Sequence, residues 1–118
     1  MASKYLMEIT DATFSSTIAS GVTLVDFWAP WCTPCLMLAP ALEKVAQQFD
    51  GQAQVGKINV DSNPSTAANF NVRGIPTLIL FRDGQEVERL VGVQTEGELA
   101  SIIKRNITSQ TKDSFIQL

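Results

Sequence analysis

The sequence predicts one α/β domain in which a mixed five-stranded sheet is flanked by four helices. Three patterns carry that prediction. Residues 22–29 are almost continuously apolar, as in a central strand buried on both faces. Cys35, Leu38, Leu42, Val45 and Phe49 recur at helical spacing, with Glu43, Lys44 and Gln47 on the other sides. Asp83-Gly84 lies between two strand-like runs and is a hairpin signal.

The elements follow in order along the chain. Leu6, Glu8 and Ile9 predict a short first strand, and Asp11 is placed to cap a short helix carrying Phe14 and Ile18. Gly21 separates this helix from the apolar strand. The helix over residues 34–49 begins with Pro34, tolerated where N–H groups lack helical partners, and holds Pro40 inside it, which is expected to kink it. Met37 and the apolar stripe are assigned to the core. Asp50-Gly51 ends this helix, and residues 54–60 read as the third strand. Residues 64–70 form a short helix with Asn71 as a left-handed stop. Residues 77–81 and 87–91 are the hairpin strands. Thr95 and Glu98 make a capping box for a closing helix with Leu99, Ile102, Ile103 and Ile107 on one face. Strands separated by helices are expected to run parallel, and the hairpin adds antiparallel partners.

Composition excludes several functions. The chain has 118 residues, enough for one domain with its own core. A formal charge of −3 and the lack of a basic stripe argue against nucleic acid. The apolar stretches are too short to span a bilayer, and the first twenty residues lack an export-signal pattern. Asn106-Ile107-Thr108 matches a glycosylation acceptor and is read as chance. With no His in the chain, Cys–His and Ser–His catalysis and His-ligated metals are ruled out.

The two cysteines, Cys32 and Cys35, sit in Trp31-Cys32-Thr33-Pro34-Cys35, at a strand-to-helix junction. This spacing lets two sulfurs form and break a bond with each other. Unpaired N–H groups and the helix dipole favour a thiolate at the junction. Cys32 is therefore the expected attacking thiolate, partly exposed, and Cys35, a turn further in, the less accessible resolving thiol. A static disulfide or two ligands of a shared metal are the alternatives the spacing leaves open. Asp26 lies within the apolar strand, where burial is expected to raise its pKa; an edge strand facing solvent is the bland alternative. Lys57, on the neighbouring strand, is placed to approach Asp26, or to lay its stem on the sheet with its head in water.

Residues Val25-Asp26-Phe27-Trp28-Ala29-Pro30-Trp31-Cys32, Pro34-Cys35, Met37, Ala39-Pro40, Arg73-Gly74-Ile75-Pro76-Thr77 and Val91-Gly92 together resemble the thioredoxin family. The resemblance runs from the first strand to the last helix. It implies a thioredoxin fold over residues 1–108, with 109–118 as a C-terminal tail or helix extension. It implies a protein-disulfide reductase with Cys32, Cys35, Asp26 and Lys57 in catalysis, Asp26 taking the proton of the buried cysteine. Client contacts fall to Trp31, Thr33, Pro34, Ile75, Pro76, Gly92 and Val93, with Pro76 in a cis bond against the sulfurs and Ile75 offering its backbone to a substrate strand. Trp28 is expected beneath the active-site loop. The resemblance further implies a monomer in the cytoplasm that binds no cofactor or metal and no nucleic acid or membrane. It is recharged by a flavin- and NADPH-dependent thioredoxin reductase and acts on disulfide-containing client proteins. An oxidase or isomerase is a second reading. A binding module with incidental thiols is a third, with Phe115, Ile116 and Leu118 as docking elements.

The chain departs from the family pattern at two positions. Thr33 stands where Gly is usual, restricting the backbone and offering a hydroxyl to the Cys32 thiolate. Leu36 stands where Lys is common, removing a charge beside the thiols, enlarging the apolar rim and shifting partner choice toward less acidic clients. Thr33 is expected to make the couple less reducing. Equilibrating the Thr33→Gly variant against a glutathione buffer should give a lower potential than the parent; an unchanged or higher potential refutes the idea.

Overall fold

The computed structural model describes the backbone of residues 3–116 and the side chains of residues 3–107. Its elements are β1 (Leu6–Ile9), α1 (Phe14–Ile18), β2 (Val22–Trp28), α2 (Thr33–Gln48), β3 (Gln54–Asn59), α3 (Pro64–Asn69), β4 (Thr77–Arg82), β5 (Gln85–Val91) and α4 (Glu96–Ile116). One five-stranded sheet has the order β1-β3-β2-β4-β5. β1, β3 and β2 are parallel, β4 is antiparallel to β2, and β5 is antiparallel to β4. The crossovers through α1 and α2 leave their flanking strands parallel, but β3 and β4, which the sequence predicts to be parallel because α3 separates them, run antiparallel: α3 returns the chain to the end of the sheet where β3 finished, and the tight β4–β5 turn reverses it again. In that turn Asp83 and Gly84 have φ of 51° and 85°, the left-handed pair the strand twist demands. Asp83 also ties the turn to the start of β2, since its N–H donates to Gly21 O at 2.9 Å and its Oδ1 accepts from Gly21 N–H at 2.8 Å.

Alternation along β2 sends its side chains to two cores. Val22 and Leu24 pack with Leu38, Leu42 and Val45 of α2 and with Leu99, Ile102 and Ile103 of α4. Val25 and Phe27 pack on the opposite face with Phe14 and Ile18 of α1. There Phe14, Phe70 and Phe81 form a ring cluster with centroids 5.3–5.4 Å apart in tilted and edge-on arrangements. α4 begins with the anticipated capping box: Thr95 N–H donates to Glu98 Oε1 at 2.7 Å and Glu98 N–H to Thr95 Oγ1 at 3.1 Å. Asn71 takes a φ of 55° after α3, as a left-handed stop should.

Asp11 and Met37 depart from expectation. Asp11 does not cap α1, which starts after Thr13 with no side-chain cap. Its carboxylate instead accepts the N–H groups of Ser65 at 3.1 Å and Thr66 at 2.9 Å and the Thr66 hydroxyl at 2.6 Å, so it caps α3. Because β1 and β3 are parallel neighbours, the loops that leave them emerge side by side. The Thr66 hydroxyl, followed by the backbone donors, holds Asp11 below the usual carboxylate range. Met37 is not core but 65% exposed. It lies about 200° around the helix from Cys35, off the apolar stripe.

α4 continues in helical backbone to Ile116. The side chains of Phe115 and Ile116, and Leu118 altogether, lie outside what the structure describes. Asn106 is buried and structurally occupied, donating to Glu88 Oε2 at 2.6 Å and to Ile102 O at 2.7 Å. Its amide is thus spent on joining α4 to β5.

Replacing Asp11 with Ala should unpair the first amides of α3 and leave α1 intact. Hydrogen exchange at Ser65 and Thr66 is expected to accelerate about tenfold, with no change at Phe14 or Thr17. Faster exchange confined to α1 would show instead that Asp11 serves the nearer helix.

Candidate active site

The sheet order gathers loops that are far apart in sequence. Parallel β2 and β3 finish at one end of the sheet; antiparallel β4 starts there and β5 finishes there. The segments after Trp28, after Asn59, before Thr77 and after Val91 therefore meet at a single edge. Apart from Asp26, Trp28 and Lys57, which lie in β2 and β3, every residue singled out from the sequence for this site comes from these segments.

Cys32 is the N-cap of α2, in extended conformation at φ −87° and ψ 104°. Its Sγ accepts the Cys35 N–H at 3.2 Å, so the sulfur takes the place a capping oxygen usually fills. The two cysteines are joined in a disulfide with Cα atoms 5.2 Å apart, well inside the span such a bond allows. Both are 3% exposed, which corrects the expectation that Cys32 is partly open to solvent. Trp28, Val60 and Ile75 pack over Ala29, Cys32 and Cys35 and close the pair off. Cys32 Sγ lies 3.8 Å from Ile75 O. Thr33 and Pro34 form the exposed first turn of α2.

The rim assembles from three sides. Trp31 is 68% exposed, and its indole N–H donates to Asp61 Oδ2 at 2.8 Å. With Val60, Ala67, Val72, Arg73 and Ile75 it walls an open groove of about 210 Å³. The Ile75–Pro76 bond is cis. Pro76 O accepts the Gly92 N–H at 2.8 Å, joining the second side to the third. Gly92 has a φ of 93°, a conformation side chains resist. Val91 and Val93 stand exposed beside it, and Leu36 is 52% exposed near the start of α2.

Asp26 sits on the α2 side of β2, between Leu24 and Trp28, and is 3% exposed. Its Oδ1 has no hydrogen-bond partner among the described residues. Burial pushes its pKa up to about 7, and Lys57 pulls against that shift. Lys57 is directly opposite Asp26 in the β2–β3 register, and its Nζ rests 4.7 Å from the centroid of the Trp28 ring. Lys57 thus has its charge against an aromatic face as well as near the carboxylate. Asp61, the partner of Trp31, was not evident in the sequence. Its only mark there is its position two residues beyond a strand that ends at the site.

Among the described residues, no cluster of three or more His, Cys, Asp or Glu side chains is placed to hold a metal ion, and no helix is long and apolar enough to cross a membrane.

The family model for Thioredoxin matches residues 5–105. A curated thioredoxin from Staphylococcus saprophyticus is 51% identical over 102 residues, covering 86% of this chain and 98% of the relative. One from Staphylococcus aureus strain Mu50 is 50% identical with the same coverage, 86% and 98%. Among solved structures, a point-mutant thioredoxin from Halobacterium salinarum NRC-1 aligns with a TM-score of 0.80 at 41% identity, over 89% of this chain and 94% of that one. With a C-x-x-C pair bonded at the start of α2 and this likeness along nearly the whole domain, the chain belongs to the thioredoxin family and is a protein-disulfide reductase.

Proposed function

We propose that the dithiol form of this protein reduces disulfides of client proteins, with Cys32 as nucleophile and Cys35 as resolving thiol. The observation that carries this reading is the capping of α2 by Cys32 Sγ: the Cys35 N–H and the helix N-terminus already point at that sulfur, where they stabilise negative charge once the disulfide is opened. The Cys32 thiolate attacks one client sulfur, forming a mixed disulfide and expelling the other client sulfur as a thiolate. Cys35, deprotonated, then attacks Cys32 Sγ and expels the second client sulfur. The client gains two electrons and two protons, and the pair returns to the disulfide.

In this reading Asp26 takes the Cys35 proton. Burial keeps it protonated or ionised in comparable amounts near neutrality, so it exchanges a proton at little cost. Lys57 tunes that balance by favouring the ionised form. Trp31, Thr33, Pro34, Ile75, Pro76, Gly92 and Val93 form the surface that receives a client segment. Re-reduction falls to an NADPH-dependent thioredoxin reductase that supplies the flavin, so this chain carries no cofactor and works as a monomer. The cytoplasm is the compartment whose poise suits it.

The test couples a model protein disulfide, NADPH and a bacterial thioredoxin reductase. Cys32→Ser should abolish turnover, and Cys35→Ser should accumulate a stable mixed disulfide with the client. Turnover that survives both substitutions would leave the thiols incidental.

Asp26 also links catalysis to stability. Its pKa is about 7 in the folded protein, against an ordinary value of 3.8, so the folded state holds an extra proton between those values. Stability therefore falls as pH rises through that window, with the full cost present above pH 7. The shift corresponds to roughly 4 kcal/mol as an upper figure. Asp26→Asn should remove that slope, raise the urea midpoint at pH 8 and slow release of the mixed disulfide. Parallel stability–pH curves for parent and variant would remove Asp26 from both roles.

A further inference from the structure

We propose that Gln94 is a positioning residue for client recognition, holding the Gly92–Val93 side of the rim in place. Its Nε2 donates to Val91 O at 3.3 Å and to Gly92 O at 3.2 Å. Each hydrogen of the amide is thereby spent on one of two consecutive carbonyls. These are the carbonyls that flank the turn where Gly92 takes its φ of 93°. On the other side of the same residue, the Gly92 N–H donates to Pro76 O at 2.8 Å. Gly92 is gripped twice, by Pro76 through its amide and by Gln94 through its carbonyl.

The segment after Gln94 is already rigid. Thr95 opens the capping box of α4, and Leu99 N–H donates to Thr95 O at 3.1 Å. The segment before it is the end of β5, where Thr77 and Val91 are paired. Between these two fixed points the backbone has few constraints of its own, and glycine supplies the least stiffness of any residue. The Gln94 side chain is half-buried in this gap and replaces the missing ladder with two hydrogen bonds. Val93, 45% exposed, and Val91, 65% exposed, are consequently presented at a set height beside Pro76. No atom of Gln94 is part of the sulfur chemistry; its effect passes through Gly92.

This inference rests on the reading of the protein as a reductase of protein disulfides, and it separates from that reading cleanly. A protein disulfide needs the whole rim, whereas a small aromatic disulfide needs only Cys32. Gln94→Met keeps the length of the side chain and deletes both donors. Gln94→Glu sets a carboxylate against two carbonyl oxygens. For Gln94→Met, KM toward a protein disulfide should rise about fivefold with kcat unchanged, the effect of losing hydrogen bonds of ordinary net strength. For Gln94→Glu the rise should be larger. The rate with the small disulfide and the pH profile of Cys32 alkylation should stay at parental values. Exchange at the Gly92 amide should accelerate by a similar factor in both variants.

The proposal is overturned if Gly92 exchange is unchanged, or if exchange accelerates while KM for the protein disulfide does not rise. A parent protein that fails to reduce protein disulfides at all would sink the functional reading instead, and Gly92 exchange alone would then decide whether Gln94 clips the turn.

Discussion

Everything at the active site hangs on β2 being dry on both faces. Leu24, Val25 and Phe27 are 0% exposed, and hydrogen-bonded neighbours on both sides hold the strand in register. Such a strand has no solvent into which a polar side chain can turn. Asp26 is therefore carried into the interior by the same alternation that buries Leu24, and its charge becomes expensive. The strand also delivers the chain to Cys32 at a fixed height and angle, so that α2 starts with its N–H groups directed at a sulfur. A buried carboxylate near neutrality and a capped sulfur are two consequences of one central strand.

The second determinant is the mixture of strand directions. An all-parallel sheet would place only the ends of its strands at this edge. The connection through α3 reverses the chain so that β4 begins at this edge, and the second reversal at the Asp83-Gly84 turn returns the end of β5 to it. Two cross-links then stitch the converging segments. Trp31 is tied to the loop after β3 through Asp61, and Pro76 is tied to the turn after β5 through Gly92. The rim is accordingly held by bonds between loops rather than by the loops' own stiffness, which is how short irregular segments present a defined surface.

What the sequence disclosed was whatever local chemistry decides. Helical spacing marked α2 and α4, a continuous apolar run marked β2, β-branched and aromatic content marked β4, the Asp-Gly pair marked the hairpin, Thr95 with Glu98 marked the start of α4, and Asn71 marked the end of α3. Each of those signals is complete within a few residues. The misjudged features depend on partners far along the chain. Asp11 caps a helix more than fifty residues away because two parallel strands end together, and nothing near Asp11 reports that. The burial of Cys32 is imposed by Val60 and Ile75, which arrive from the segments after β3 and before β4. The pairing of Trp31 with Asp61 has the same origin. Met37 is a different failure: its angle around the helix pointed outward, and only its hydrophobicity argued for the core.

That outward methionine belongs to a wider pattern. Residues 29–42 contain no charged side chain, although this stretch includes the exposed residues Trp31, Leu36 and Met37. Charges lie elsewhere on the chain, where a net −3 discourages self-association. Apolar surface of this kind is retained against the cost of exposing it when something periodically covers it. A contact made by such residues owes its strength to area removed from water, and salt screens little of it. The shape of this edge is set by the cross-links from Asp61 and Gly92. Charge enters this edge from outside that stretch, through Arg73 in the groove beside Trp31 and through Asp61, whose carboxylate is already engaged by the Trp31 indole.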